Sequence, residues 1–363
     1  MFAVELPADR SPLQMDALEV TQAVQDLGHS VPLVAQKRTV VRAYLSFYGS
    51  APVTVRGELS VRSAPTATPV VIASENTVTL NPADAGNITP TRNDAARSLN
   101  FVLPLTSTLA GQLAIRLSSV SDVATGNPMA VGNERRPTVS FHDGPPLRLQ
   151  VIGFSYQWGL PPTTTTHTPR DIDYLMLDSW LLRAYPVARV RSGAVREVAA
   201  SATPPFTSDD INAQLAAIRA QDVNAGTDAR THYYGLVGDG GFWMRGSAAS
   251  VPAANPDPRV VACGPAGVPG SSPPTASFTW DTDDSYGDWY GGHELGHTLG
   301  RLHPGFCPNN STEDRNNYPF AAGQLSTNDA GFAGFDVGHP GLGGDPTRNL
   351  PMIALPEPSG TMS

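Results

Sequence analysis

Lysine is almost missing from this chain: Lys37 is the only one, and arginine carries nearly all of the positive charge. That bias follows coding composition, and no function is drawn from it. Positive charge as a whole is short, with 24 Lys and Arg against 33 Asp and Glu, a net charge of -9 and a pI near 5.3. A nucleic-acid partner needs a basic patch that neutralises phosphates, so that class is excluded. No apolar run is long enough to span a membrane, so no transmembrane segment is expected. The opening stretch, MFAVELPADRSPLQ, lacks a basic segment followed by an apolar one, so no signal peptide is read in this chain. Cysteine occurs only twice, as Cys263 and Cys307.

Proline and glycine, by contrast, number 34 each. Turns and loops must therefore be many, and helix is not expected to dominate. A length of 363 residues allows two domains, each with its own core. From Leu18 to Phe141 the apolar residues recur with period two. Val41, Ala43, Leu45 and Phe47 share one face, as do Val53, Val55, Leu59 and Val61, and Leu113, Ile115 and Leu117. Short strands separated by turn clusters predict an antiparallel β-sandwich of the immunoglobulin-like kind over residues 1–143.

The pattern changes after HDGPP, His142 to Pro146, and a second domain is expected over 144–363. LRLQVIGFSY reads as a buried strand. A helix should follow, with Thr168 as N-cap, Pro169 at its first position and Asp171 near the positive end of its dipole, until Pro186 stops it. VARVRSGAVREV returns as a strand or hairpin. A second helix is predicted from Ser208 to about Asn224, and THYYGLVG reads as another strand.

Chemistry concentrates in GGHELGHTLGRLHPGFC, which holds three of the eight histidines. His293 and His297 stand at i and i+4, one above the other on a helix face, where both imidazoles can meet one ion. Gly300 can take the left-handed conformation that ends a helix, which lets the chain bring His303 back. Glu294 is rotated about 100° from His293, beside such an ion rather than on it. At this chain's own composition, chance supplies on the order of 10⁻⁵ such arrangements.

The order HExxHxxGxxH resembles the signature of the metzincin clan of zinc metalloendopeptidases, and in its later features the chain resembles bacterial secreted metallopeptidases. The resemblance implies a mixed sheet with an active-site helix, zinc on His293, His297 and His303, and Glu294 as the general base that takes a proton from metal-activated water. It implies a peptide or protein substrate, hydrolysis of peptide bonds, and an extracellular location. Pro304 is a departure, because several families of the clan place an acid directly after the third histidine. The resemblance also implies a methionine turn beneath the zinc, for which Met362 in GTMS is the candidate ahead of Met352. The catalytic domain would then be truncated at its C-terminus. Phe242, Trp243 and Met244, in the segment running to Ala248, match a strand that would pair with substrate; an ordinary sheet edge is the plainer reading.

In an exported protein Cys263 and Cys307 could be joined as a disulfide; two unrelated thiols, or Cys263 capping the zinc, are the alternatives. Asp281 to Asp288 could bind calcium, though the spacing is not that of an EF-hand and solvated helix-start acids explain it as well. A second function stays open: an adhesive glycan- or protein-binding module whose zinc domain is structural and inactive. Glu294 discriminates, since a structural site needs no base beside its ligands.

Overall fold

The computed structural model describes residues 11–240, 243–251, 255–269, 283–304, 313–314, 331–345 and 347–355. Phe242, Asp281, Cys307 and Met362 lie outside them. The chain divides into two compact units, one of Met1–Pro145 with Leu325–Pro340 and Asn349–Ser363, the other of Pro146–Gln324 with Gly341–Arg348. The protein is mostly β-sheet with few helices, and among the described residues no helix is long and apolar enough to cross a membrane.

Period-two runs become strands in the first unit. Leu13–Thr21 pairs antiparallel with Val40–Phe47, which pairs with Leu99–Val102. A second sheet places Gly111–Asp122 between Thr138–His142 and Val53–Arg62. Val41, Ala43 and Leu45 from one sheet share a single buried cluster with Val55, Leu59, Val61, Leu113, Ile115 and Leu117 from the other, as the alternation predicts. Apolar burial at about 25 cal/mol per Å² drives this pairing of faces.

The opposite face of Val40–Phe47 is buried as well, which alternation does not predict. Arg42 and Tyr44 are both fully enclosed there. Cover for Arg42 comes from far along the chain, where Ala333–Asp336 pairs antiparallel with Val24–Gln25 and with Ile353–Leu355. Phe335 lies with its ring centroid 4.4 Å from the Arg42 guanidinium carbon. Residues expected to belong to the catalytic domain, Met352 among them, therefore complete the first unit instead. Met352 packs on Val40, Phe335, Val337 and Ala354.

The second unit is built on a mixed sheet. Leu147–Trp158 pairs in parallel with His232–Gly238, which pairs in parallel with Ala262–Ala266, and Ser247–Ala248 closes that side antiparallel. Alternation along the central strands feeds two cores. Leu147, Leu149 and Val151 face Leu177, Leu181 and Leu295, while Ile152, Phe154 and Tyr156 face Phe206, Ile211 and Leu215. Helices therefore cover both faces: Asp171–Ala184 and Gly287–Thr298 on one, Ser208–Asn224 on the other.

The second of these helices by position, Ser208–Asn224, has the predicted bounds. The first starts two residues later than Thr168–Pro169 suggests, with Arg170 as its N-cap. Asp173 is the reason: its buried carboxylate accepts the Arg170 N–H at 2.7 Å and the Ser285 hydroxyl at 2.7 Å. The Asp173 carboxylate also pairs with the half-exposed Arg170 guanidinium at 2.6 Å.

Candidate metal centre

Helix Gly287–Thr298 can approach its neighbours because it presents glycine to them. A Cβ at Gly287 would lie 2.6 Å from the Ala266 Cβ, one at Gly291 2.3 Å from Leu177 Cδ1, and one at Gly292 2.2 Å from the Trp180 ring. Tyr185 donates its hydroxyl to the Gly292 carbonyl at 2.5 Å, tying the helix to the end of Asp171–Ala184. After Leu299 the chain leaves the helix through Gly300 at φ +86°, the conformation expected of it. The Gly300 N–H bonds the His297 carbonyl at 2.9 Å and the Arg301 N–H bonds Gly296 at 3.0 Å, which satisfies two last-turn carbonyls. His303, in the short strand His303–Pro304, is thereby carried back to the helix.

The three imidazoles converge. Nε2 of His293 lies 3.0 Å from Nε2 of His303 and 3.2 Å from Nε2 of His297, and the His297–His303 separation is 3.2 Å. Three nitrogens at 2.0–2.1 Å from one tetrahedral ion would be about 3.3 Å apart, so the triangle matches the base of a zinc tetrahedron. The His297 Nδ1 is 2.6 Å from the Arg301 carbonyl. Since a carbonyl only accepts, Nδ1 carries the proton and Nε2 offers its lone pair to the centre. Burial and the neighbouring imidazoles hold His293 and His297 below the ordinary histidine range, which keeps both neutral as ligands must be. His293 opens to solvent on one side. Among the described residues these three form the group able to hold a metal.

Glu294 is buried beside them, 6% exposed. Burial pushes its carboxyl up to about 7, against an opposing hydrogen bond from the Ala248 amide. A carboxyl poised there can take and return a proton near neutrality.

The other expected site residues fall elsewhere. Trp243 and Met244 precede the sheet edge: Met244 is buried in the core, and Trp243 packs on Trp158 with ring centroids 4.8 Å apart and on Tyr156 and Phe206. The edge strand itself is Ser247–Ala248. Cys263 is a free, buried thiol whose Sγ lies 3.4 Å from the Ser208 carbonyl. Cys307, its expected disulfide partner, lies outside the described residues, and burial pushes the Cys263 thiol well up, away from a zinc-capping thiolate. Of the acids between Asp281 and Asp288, Asp283 faces Arg183 at 3.9 Å, the Asp284 carbonyl accepts from Arg170, and Asp288 is enclosed in the first turn of the helix.

No family model matches the chain, and no curated protein matches it. Among solved structures it is similar to a calcium-binding mutant of Bacteroides uniformis β-glucuronidase 2, at 10% identity and a TM-score of 0.22. It is similar also to that enzyme covalently bound to cyclophellitol-6-carboxylate aziridine, at 12% identity and a TM-score of 0.23. Each match covers 64% of this chain and 29% of the other. These matches are to glycosidases, and neither family models nor curated proteins bring a peptidase. The expected zinc endopeptidase, an enzyme acting on peptide bonds, is therefore withdrawn. Likenesses this weak carry no glycosidase activity to this chain either.

Proposed function

We propose that the second unit binds a divalent transition metal, zinc by its donor set, through His293, His297 and His303, and that the centre activates water with Glu294 as its acid–base group. The observation that carries this reading is the convergence of three Nε2 atoms within 3.0–3.2 Å of one another. Three imidazole lone pairs that close oppose one another unless a metal ion or a shared proton sits among them, and a metal ion satisfies all three at once. When bound, a zinc ion held by three neutral ligands lowers the pKa of a coordinated water to about 7 and acts as a Lewis acid. The chain's own part is to orient the ligands through the Arg301 carbonyl and to hold a buried carboxyl beside them. We read the second unit's sheet and helix as metzincin-like, on the motif and the antiparallel edge, and the first unit as an immunoglobulin-like sandwich, on its two mainly antiparallel sheets and shared core.

Metal analysis after exhaustive dialysis tests the proposal. One zinc per chain is expected, lost in His293→Ala, His297→Ala and His303→Ala alike. Wild-type protein without metal, or full metal content in any of the three variants, would overturn it. Retained zinc with no metal-dependent turnover of any ester would instead favour a structural zinc in a binding module.

A further inference from the structure

Among the described residues Ser247–Ala248 is the last strand on its side of the second unit's sheet, and its amides alternate in direction. The Ala249 N–H donates to the Val261 carbonyl at 2.9 Å, inward to the neighbouring strand. In an antiparallel ladder the next amide points the other way. Among the described residues the Ala248 N–H is thus directed off the sheet's edge, toward the Glu294 carboxylate whose ionised form it favours. Two residues earlier, Gly246 meets the same side chain. A Cβ there would stand 2.5 Å from Glu294 Oε1, 2.9 Å from Glu294 Cγ and 2.7 Å from Tyr290 Cδ1. Gly264 on the adjacent strand leaves similar room, since a Cβ at that position would fall 3.0 Å from the Tyr290 Cβ.

We propose that Gly246 and Ala248 are positioning residues for Glu294: the bare edge at Gly246 gives its carboxyl a place, and the outward Ala248 amide fixes its direction. The inference rests on the reading of His293, His297 and His303 as metal ligands only for its use in chemistry; the contact itself needs no metal. What a methyl group at 246 would meet is the side chains of Glu294 and Tyr290 rather than backbone, the Glu294 carboxyl oxygen nearest. Gly246→Ala therefore turns Glu294 aside while the fold persists. Edge strands elsewhere keep this amide for a partner chain; here the protein's own acid occupies it.

Two measurements test the proposal separately from the metal reading. In metal-free protein, hydrogen exchange at the Ala248 amide should quicken at least about tenfold in Glu294→Ala and in Gly246→Ala, while the Ala249 amide stays as protected as in the wild type. Equal Ala248 exchange in all three proteins would overturn the contact, whether or not the protein binds metal. In Co(II)-loaded protein, acetohydroxamate chelates the ion and offers a hydroxyl proton to Glu294. Gly246→Ala should weaken its binding at least about tenfold, as Glu294→Gln does, with no further loss in the double variant and an unchanged Co(II) spectrum before the probe is added. Wild-type affinity in Gly246→Ala, or losses that add in the double variant, would overturn the positioning role; a wild-type protein that takes up no Co(II) would sink the metal reading and leave the exchange result to judge the contact.

Discussion

Single residues in the second unit show how burial sets chemistry. Glu294→Gln preserves shape and cannot take a proton, so metal should remain while metal-dependent turnover of 4-nitrophenyl acetate falls about 10²–10⁴-fold. Unchanged turnover, assayed with and without chelator, would refute the acid–base role. His232 offers a second test. It is 5% exposed, and its Nδ1 lies 3.0 Å from Thr298 Oγ1, which itself donates to the Leu295 carbonyl at 2.9 Å. Burial, with Arg219 adding to it and Asp257 opposing, lowers His232 from 6.5 to about 4. A depressed folded-state pKa means that the unfolded chain binds the proton first as pH falls. The stability linked to His232 is thus full above pH 6.5 and lost as pH drops toward 4, by roughly 3 kcal/mol at most. His232→Asn keeps a donor for Thr298 and cannot titrate, so the urea midpoint should fall less between pH 7 and 4.5 than in the wild type. An identical fall in both proteins would show that His232 is not the group responsible.

Secondary elements here were legible where periodicity is local. The helix over Ser208–Asn224 and the strands of the first unit follow their apolar spacing because side-chain direction is dictated by backbone geometry. Helix Gly287–Thr298 is a different case, since its glycines lower helix propensity by about 1 kcal/mol each relative to Ala. At Gly287, Gly291 and Gly292 the packing leaves no space for a side chain. Gly292→Ala sets that propensity gain against a Cβ 2.2 Å from the Trp180 ring. Overpacking of this kind costs about 1–3 kcal/mol, so a net loss of stability is expected despite the better helix former. A raised melting temperature in the variant would mean that Trp180 repacks freely.

At the scale of the whole molecule, the chain does not divide at one boundary. Its passage from first to second unit at Pro145/Pro146 lies close to the HDGPP change of pattern, yet Leu325–Pro340 and Asn349–Ser363 return to the first unit. Arg42 shows what that return does. Its Nη1 donates to the Arg92 carbonyl at 2.9 Å, its Nε to Ser98 Oγ at 3.1 Å, and Phe335 closes over it. Arg92 donates to Glu19 at 2.5 Å and also to the Gly331 carbonyl. Phe335→Ala would remove buried aromatic surface and open a buried cation to solvent. A cost of about 3–5 kcal/mol is expected in denaturant unfolding of the first unit, with metal content unaltered. A variant that unfolds like the wild type would show that the returning segment adds nothing to that unit.

The sequence by itself determined what near neighbours decide: the i, i+4 stacking of His293 and His297, the turn at Gly300, Glu294 beside the histidines, and the inward faces of the first unit's strands. Spacing along a helix or strand converts directly into direction in space. Tertiary structure alone decided that Ala333–Asp336 pairs with Val24–Gln25, that Arg42 and Tyr44 face a covered side, that Trp243 and Met244 are core rather than sheet edge, and that the Ala248 amide meets Glu294. Those pairings join segments tens to hundreds of residues apart. Closing a longer loop costs only about 0.6 kcal/mol per doubling of its length, so separation along the chain barely restricts which strands can meet. The choice among them rests on matched burial and hydrogen bonding that appear only when the whole chain has folded.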